Sequence, residues 1–258
     1  MTRTIGIALL GLWTSTAFAA VTPPAVLENT KPIDSRGEFI PVETIVVGSD
    51  GASKPLREWM SAEKPMLLTF NYMGCAMLCS LQQDGLARSI SGLEMTAGDD
   101  FAVVSVSIDP DETSEMAARA SKRLSDRVGG AWSVVTATEP AIKTLTDAAG
   151  FRFEYLEASD QYAHAALTYV LTPDGRVSQY LAGIEPASRD LKFALIEASD
   201  GQIGSFIDQI ALACLQYDSS RNAYVARGVM RAGGLTILAG LGLFFGILWS
   251  RERRRWGE

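Results

Sequence analysis

The chain has 258 residues, enough for one or two domains. It is 47% hydrophobic and 21% charged with a mean hydropathy of +0.11, an ordinary globular mix tilted toward the membrane. Its formal net charge of −7 argues against nucleic acid as a partner, because phosphate binding wants a basic face.

The extra hydrophobicity sits at the two ends. At the start, Arg3, the apolar run 5–13 and the small-x-small site Ala17-Phe18-Ala19 form the pattern of a secretory signal peptide over residues 1–19. Residues 20–37 are rich in Pro, Thr and charge and read as a mobile linker. A folded domain is expected over 38–200. It opens with two short strands around the turn residues Ser49-Asp50-Gly51. "PMLLTFNYM" is a buried strand, and the next segment carries Leu78, Leu81, Leu86, Ile90 and Leu93 at helical spacing.

"DFAVVSVSID" is a β-branched buried strand and "DETSEMAARASKRLSDRV" an exposed helix with an acidic start. "WSVVTA" is a third buried strand, and the helix "EPAIKTLTDAAG" ends at Gly150. Residues 166–171 and 176–181 flank Thr172-Pro173-Asp174-Gly175, a hairpin signal, and residues 186–198 close the domain as a helix. The order β, α, β, α, β, α, β, β, α predicts an α/β domain, a three-layer α/β/α architecture whose terminal hairpin makes the central sheet mixed.

Beyond it, residues 203–217 place Ile203, Phe206, Ile207, Ile210, Ala211, Cys214 and Leu215 on one stripe, so an amphipathic helix and a linker are expected over 201–227. Residues 232–249 carry no charge and would span ~27 Å as a helix. A transmembrane helix is therefore expected over 228–250, followed by a basic tail over 251–258. Arg251, Arg253, Arg254 and Arg255 put that tail on the cytoplasmic side and the domain outside the inner membrane, in the periplasm. Gly242 and Gly246 make a GxxxG of low specificity in so glycine-rich a span. Setting aside the +1 of the leader and the net +2 of the tail leaves −10 on residues 20–250, which suits a solvated surface or a basic partner.

The chemistry rests on few side chains, since the chain has three cysteines and one histidine. An exported domain is free to form disulfides. Cys75 and Cys79 nonetheless close too small a loop for a structural staple to remove much unfolded-state entropy. Cys79 falls at the first turn of a helix, where a thiolate is stabilised, and helical i, i+4 spacing aims two side chains the same way. Such a pair suits a dithiol–disulfide switch or a soft metal such as Cu(I). The thiol loop between the first buried strand and its helix is the thioredoxin arrangement. In such a sheet His164, just before the terminal hairpin, lies beside that loop. Two thiolates and one imidazole form a trigonal set suited to copper in either oxidation state, whereas structural zinc wants four protein ligands. Met73 and Met77 are expected to pack, and Cys214 to be a buried thiol. Asp109 is a turn and cap residue or an acidic neighbour of the thiols. Nothing in the sequence forces Glu157 or Asp160 into the site.

Three segments in order, "TFNYMGCAMLC", "VSVSIDPDET" and "HAALTYVLTPDGRVSQYLAGI", resemble the Sco/SenC family of membrane-anchored copper chaperones with a thioredoxin-like fold. The resemblance covers roughly residues 37–200. It implies copper on Cys75, Cys79 and His164, Asp109 as an outlying acidic residue, and Cys75 and Cys79 as a redox pair. It further implies a role in building the copper centre of a respiratory haem-copper oxidase. The partners would be the copper-site subunit of that oxidase and a copper donor protein. The chain departs from the family pattern at Ala76 and Ser80, where prolines are usual, and at Ala163, where an Asp usually precedes the histidine. Its expected anchor is C-terminal, after the Cys-x-x-Tyr-Asp stretch at 214–218, where the family's is usually N-terminal. Three other classes compete. They are a thiol–disulfide oxidoreductase in which His164 only tunes the thiols, a peroxiredoxin-like peroxidase that lacks its motif around Cys75, and a tethered interaction module with idle thiols.

Overall fold

The computed structural model describes residues 25–74, 78–199, 215–218, 223–226, 238, 240–243 and 249. The elements run α1 (Ala25–Asn29), β1 (Ile45–Val47), β2 (Ser53–Pro55), a 3-10 turn (Leu56–Trp59), β3 (Met66–Asn71), α2 (Leu78–Ser91), β4 (Ala102–Ser107) and α3 (Ser114–Val128). They continue as β5 (Ser133–Val135), α4 (Glu139–Ala148), β6 (Phe153–Leu156), β7 (Gln161–His164), β8 (Leu167–Leu171), β9 (Val177–Ala182), α5 (Ser188–Ala198), β10 (Leu215–Asp218) and β11 (Ala223–Ala226).

Five strands make the central sheet in the order β5-β4-β3-β8-β9. β3 pairs parallel with β4, and β4 with β5, while β8 runs antiparallel to both β3 and β9. The sheet is therefore mixed, as the sequence pattern predicts. All six residues of β3 are buried, because helices cover both faces; that is why the strand reads as an apolar run without alternation. Met66, Leu68, Phe70, Val104, Val106 and Tyr169 face one side and pack against Ile142 and Leu145 of α4 and the following Phe151. Leu67, Val103, Val134 and Val170 face the other and pack under Leu86, Leu124 and Leu195 of α2, α3 and α5. This second face also buries a polar link. Thr69 Oγ1 and Ser105 Oγ lie 2.8 Å apart, and Trp132 Nε1 donates to the same Ser105 Oγ at 2.9 Å. Burying these groups is tolerable only because they satisfy one another.

α3 starts at Thr113, whose hydroxyl accepts from the Met116 amide, and stops at Gly129 in the left-handed region at φ 64°, a conformation that a residue with a Cβ resists.

The structure corrects the sequence-based expectations in three places. Residues 20–37 are not a free linker from residue 25 onward. α1 forms, Ile33 N donates to Gly150 O at 2.8 Å, Ser35 Oγ donates to Ala149 O at 2.7 Å, and Gly37 N donates to Val177 O at 2.8 Å. Gly150, at φ 64°, permits this docking, since a Cβ there would lie 2.2 Å from Ile33 O. Second, the order lacked a hairpin: β6 and β7 pair antiparallel as a separate two-stranded sheet. Third, residues 215–217 were expected in a helix and instead belong to β10, which pairs antiparallel with β11; a period-3.6 stripe this short does not exclude a strand. Residues 203–214, with Cys214, lie outside the described residues. Among the described residues no helix is long and apolar enough to cross a membrane, but most of the span expected over 228–250 lies outside them. Of the expected span, residues 238, 240–243 and 249 are described as helical and the rest lies outside. The expected signal peptide, residues 1–19, also lies outside.

Candidate metal centre

The carboxyl ends of parallel strands are where α/β sheets gather ligands, and the chain leaves β3 there through Tyr72, Met73 and Gly74. Cys75 follows, outside the described residues with Ala76 and Met77. Cys79 is the second residue of α2, so its backbone lies in the first turn of that helix, where the sequence places it.

His164 is the last residue of β7, directly opposite Phe153 of β6. The sequence reading left it in a loop ahead of β8; it is in fact built into a strand of its own, which fixes its ring. The side chain is buried at 8% exposure, its ring 5.6 Å from that of Phe151 and 6.4 Å from that of Tyr72. Nδ1 lies 3.0 Å from the Ala165 carbonyl oxygen. A carbonyl only accepts, so Nδ1 carries the hydrogen and Nε2 holds the lone pair. Burial pushes the His164 pKa below its ordinary value, against a smaller opposing effect of that hydrogen bond. Burial, the larger effect, favours the neutral imidazole, the form that binds a metal, while the hydrogen bond sets its tautomer.

Tyr72, at 4% exposure, joins the strand that leads to the cysteines with the hairpin that carries the histidine. Its hydroxyl donates to Gln161 Oε1 at 2.8 Å and accepts from Tyr162 N at 3.2 Å. Its ring meets Tyr162 edge-on at 5.2 Å. Two residues, Met73 and Gly74, separate Tyr72 from Cys75 in the chain, so the sheet and hairpin bring His164 beside the segment that leads into the thiol loop.

The acidic neighbour differs from the one expected. Asp109 Oδ1 accepts from Asp111 N at 3.0 Å, a local turn. Glu112 reaches the thiol segment instead. Its Oε1 accepts from the amides of Met73 and Gly74, the latter at 2.7 Å, and its Oε2 accepts from Ser107 Oγ at 2.6 Å. The residue is buried at 8% exposure. Burial raises the Glu112 pKa above its ordinary value; the bonds from Ser107, Gly74 and Met73 oppose this, and Asp109 adds to it. The only sequence signal was an acid just ahead of a helix, which reads first as a partner for the helix dipole. Of the other candidates, Met73 packs against the second core as expected, and Asp160 accepts from Tyr155 Oη at 2.6 Å on the exposed side of the hairpin. A groove of about 440 Å³ opens next to the histidine's ring stack, lined by Ile108, Pro110, Phe151, Phe153, Tyr155 and Tyr162 among others.

A sheet of this topology, with a dithiol loop after its central parallel strand and a histidine facing that loop's approach, defines a thioredoxin-like protein. The SCO1/SenC family model matches residues 49–194, more than half of the chain, and the chain belongs to that family. Two Aquifex aeolicus VF5 crystal structures resemble it. One, of a proposed electron transfer protein, is 28% identical with a TM-score of 0.58 and covers 65% of this chain and 96% of its own. The other, of a proposed electron transport protein, is 29% identical with a TM-score of 0.53 and covers 63% and 98%. The structure of Arabidopsis thaliana ScoI with copper bound is 18% identical with a TM-score of 0.51, covering 64% of this chain and 98% of that one, a likeness of fold. A search of curated proteins finds no match.

Proposed function

We propose that the chain is a periplasmic copper-binding assembly factor, held to the inner membrane by a single C-terminal helix with the tail in the cytoplasm. It takes copper from a donor protein and passes it to the copper-site subunit of a respiratory haem-copper oxidase. Copper is its cargo, carried on Cys75, Cys79 and His164. Family membership supports the reading, and so does the copper bound to the Arabidopsis relative. The observation that carries it is the state of His164, a buried neutral ring whose Nδ1 is tied to a carbonyl and whose Nε2 holds the lone pair. A histidine that only tuned a dithiol would not need that preparation. The donor set is soft at two positions and borderline at the third, which fits Cu(I) and tolerates Cu(II). Release proceeds by ligand exchange, the receiving protein's ligands replacing these one at a time.

A second reading is favoured by Cys79 in the first turn of α2 and by the electron-transfer description of the Aquifex relatives. In it the Cys75–Cys79 dithiol reduces a disulfide of the oxidase subunit. Two thiols on this chain become one disulfide, and the two electrons and two protons pass to the partner's sulfurs. The two readings part at His164. Titration of the reduced full-length chain with copper is expected to saturate at about one equivalent, and His164→Ala to weaken Cu(II) binding and change its visible spectrum. An unchanged affinity and spectrum in that variant would remove the histidine from the site and leave the dithiol reading.

A further inference from the structure

The arrangement of Glu112 has no counterpart in what the copper or dithiol reading requires. A carboxylate is among the costliest groups to bury, yet this one is 8% exposed and makes only acceptor contacts. One oxygen takes two consecutive backbone amides, those of Met73 and Gly74, and the other takes the Ser107 hydroxyl. Ser107 is the last residue of β4, and its Oγ also accepts from Asp109 N at 3.1 Å. The carboxylate thus joins three pieces of backbone: the end of β4, the approach to α3, and the two residues before Cys75. Met73 and Gly74 lie beyond the last ladder position of β3, so no strand pairing fixes their amides. Gly74 is exposed and carries no side chain that could be packed in place.

We propose that Glu112 is a positioning residue for the thiol loop: by holding the Met73 and Gly74 amides, it sets the direction in which the chain enters Cys75 and so the ease with which Cys75 meets Cys79. This rests on the reading of Cys75 and Cys79 as the working thiols. It assigns to this chain a role that Asp109, turned into its own local bend, does not fill. The role is geometric. Gln at 112 can keep Oε1 on both amides and turn its NH₂ toward Ser107 Oγ, whose hydrogen then swings to the Asp109 carbonyl 3.3 Å away. Ala cannot, and Asp is one methylene too short.

The test uses the full-length chain as wild type, Glu112→Gln and Glu112→Ala, with two readouts. Amide hydrogen exchange at Met73 and Gly74 is expected to be slow in wild type and Glu112→Gln and at least tenfold faster in Glu112→Ala. Equilibration of Cys75–Cys79 with a glutathione redox buffer is expected to show disulfide formation about tenfold less favourable in Glu112→Ala, about 30 mV for a two-electron couple, with Glu112→Gln within threefold of wild type. Unchanged exchange at the two amides in Glu112→Ala would overturn the positioning role and leave the thiol reading standing. A Glu112→Gln as perturbed as Glu112→Ala would show that charge, not placement, is what counts, and overturns it as well. A wild-type chain that forms no Cys75–Cys79 disulfide would overturn the thiol reading, and the role of Glu112 with it.

Discussion

Replacing Tyr72 by Phe isolates one hydroxyl whose two partners lie in the same hairpin. The ring stays, so the edge-on contacts with Tyr162 and His164 persist. The losses are the 2.8 Å donation to Gln161 and the 3.2 Å acceptance from Tyr162 N. Gln161 is half-buried, and water can replace its lost partner at little cost. Tyr162 N cannot turn away, since it belongs to the strand backbone. A net hydrogen bond is worth about 1 kcal/mol and an unmet buried donor about 1–3, so the variant should lose about 1–2 kcal/mol. For a domain of this size each kcal/mol is worth roughly 2–4 °C, so Tm should fall by roughly 2–8 °C. Hydrogen exchange should locate the loss, with amides of residues 155–162 less protected while those of β3 and β4 are unchanged. A Tm within 1 °C of wild type together with unchanged exchange in the hairpin would refute the claim that this hydroxyl pins it.

Gly150→Ala forces a left-handed conformation on a residue with a Cβ and drives that atom against Ile33 O. It should cost about 2–3 kcal/mol, and limited proteolysis should then cut ahead of residue 37, where wild type resists. Trp132→Phe leaves Ser105 without its indole donor in a fully buried site and should cost about 2–3 kcal/mol by denaturant melts. Glu112→Gln should change how stability depends on pH. With the carboxyl's folded-state pKa raised above its unfolded value, its contribution is full below pH ~4.5 and is lost as pH rises through the raised value. The neutral amide lacks that loss, so the variant should gain stability relative to wild type as pH rises from 4.5, and a constant difference across that range would contradict the shift.

The layered domain was legible because its physics is local. β3, β4 and β5 are apolar or β-branched runs, and the helices between them carry caps such as Thr113 and Gly129. The parts that escaped are those in which local pattern and tertiary role diverge. The strands of β6 and β7 are four residues each and mix aromatic with polar side chains, so they resemble a polar loop. The segment before residue 37 looks like a linker because it docks through backbone groups and the Ser35 hydroxyl rather than through an apolar face. Glu112 was invisible because a carboxylate at the start of a helix has an ordinary explanation, and only the folded backbone reveals which amides it collects. The first-turn place of Cys79 and the place of His164 ahead of β8 were legible from local pattern; what the sequence did not contain was the strand that ends at His164.

That strand makes the β6–β7 hairpin an arm held along its length. His164 and Phe153 face each other at its base, next to β8, while the turn around residues 157–160 forms its tip, about 10 Å away at ~3.3 Å per residue. Between them the Tyr72 hydroxyl holds Gln161 and the amide of Tyr162. One residue at the exit of β3, Tyr72, therefore couples the approach to the thiols with both ends of the arm, touching the histidine ring at its base and the strand backbone further out.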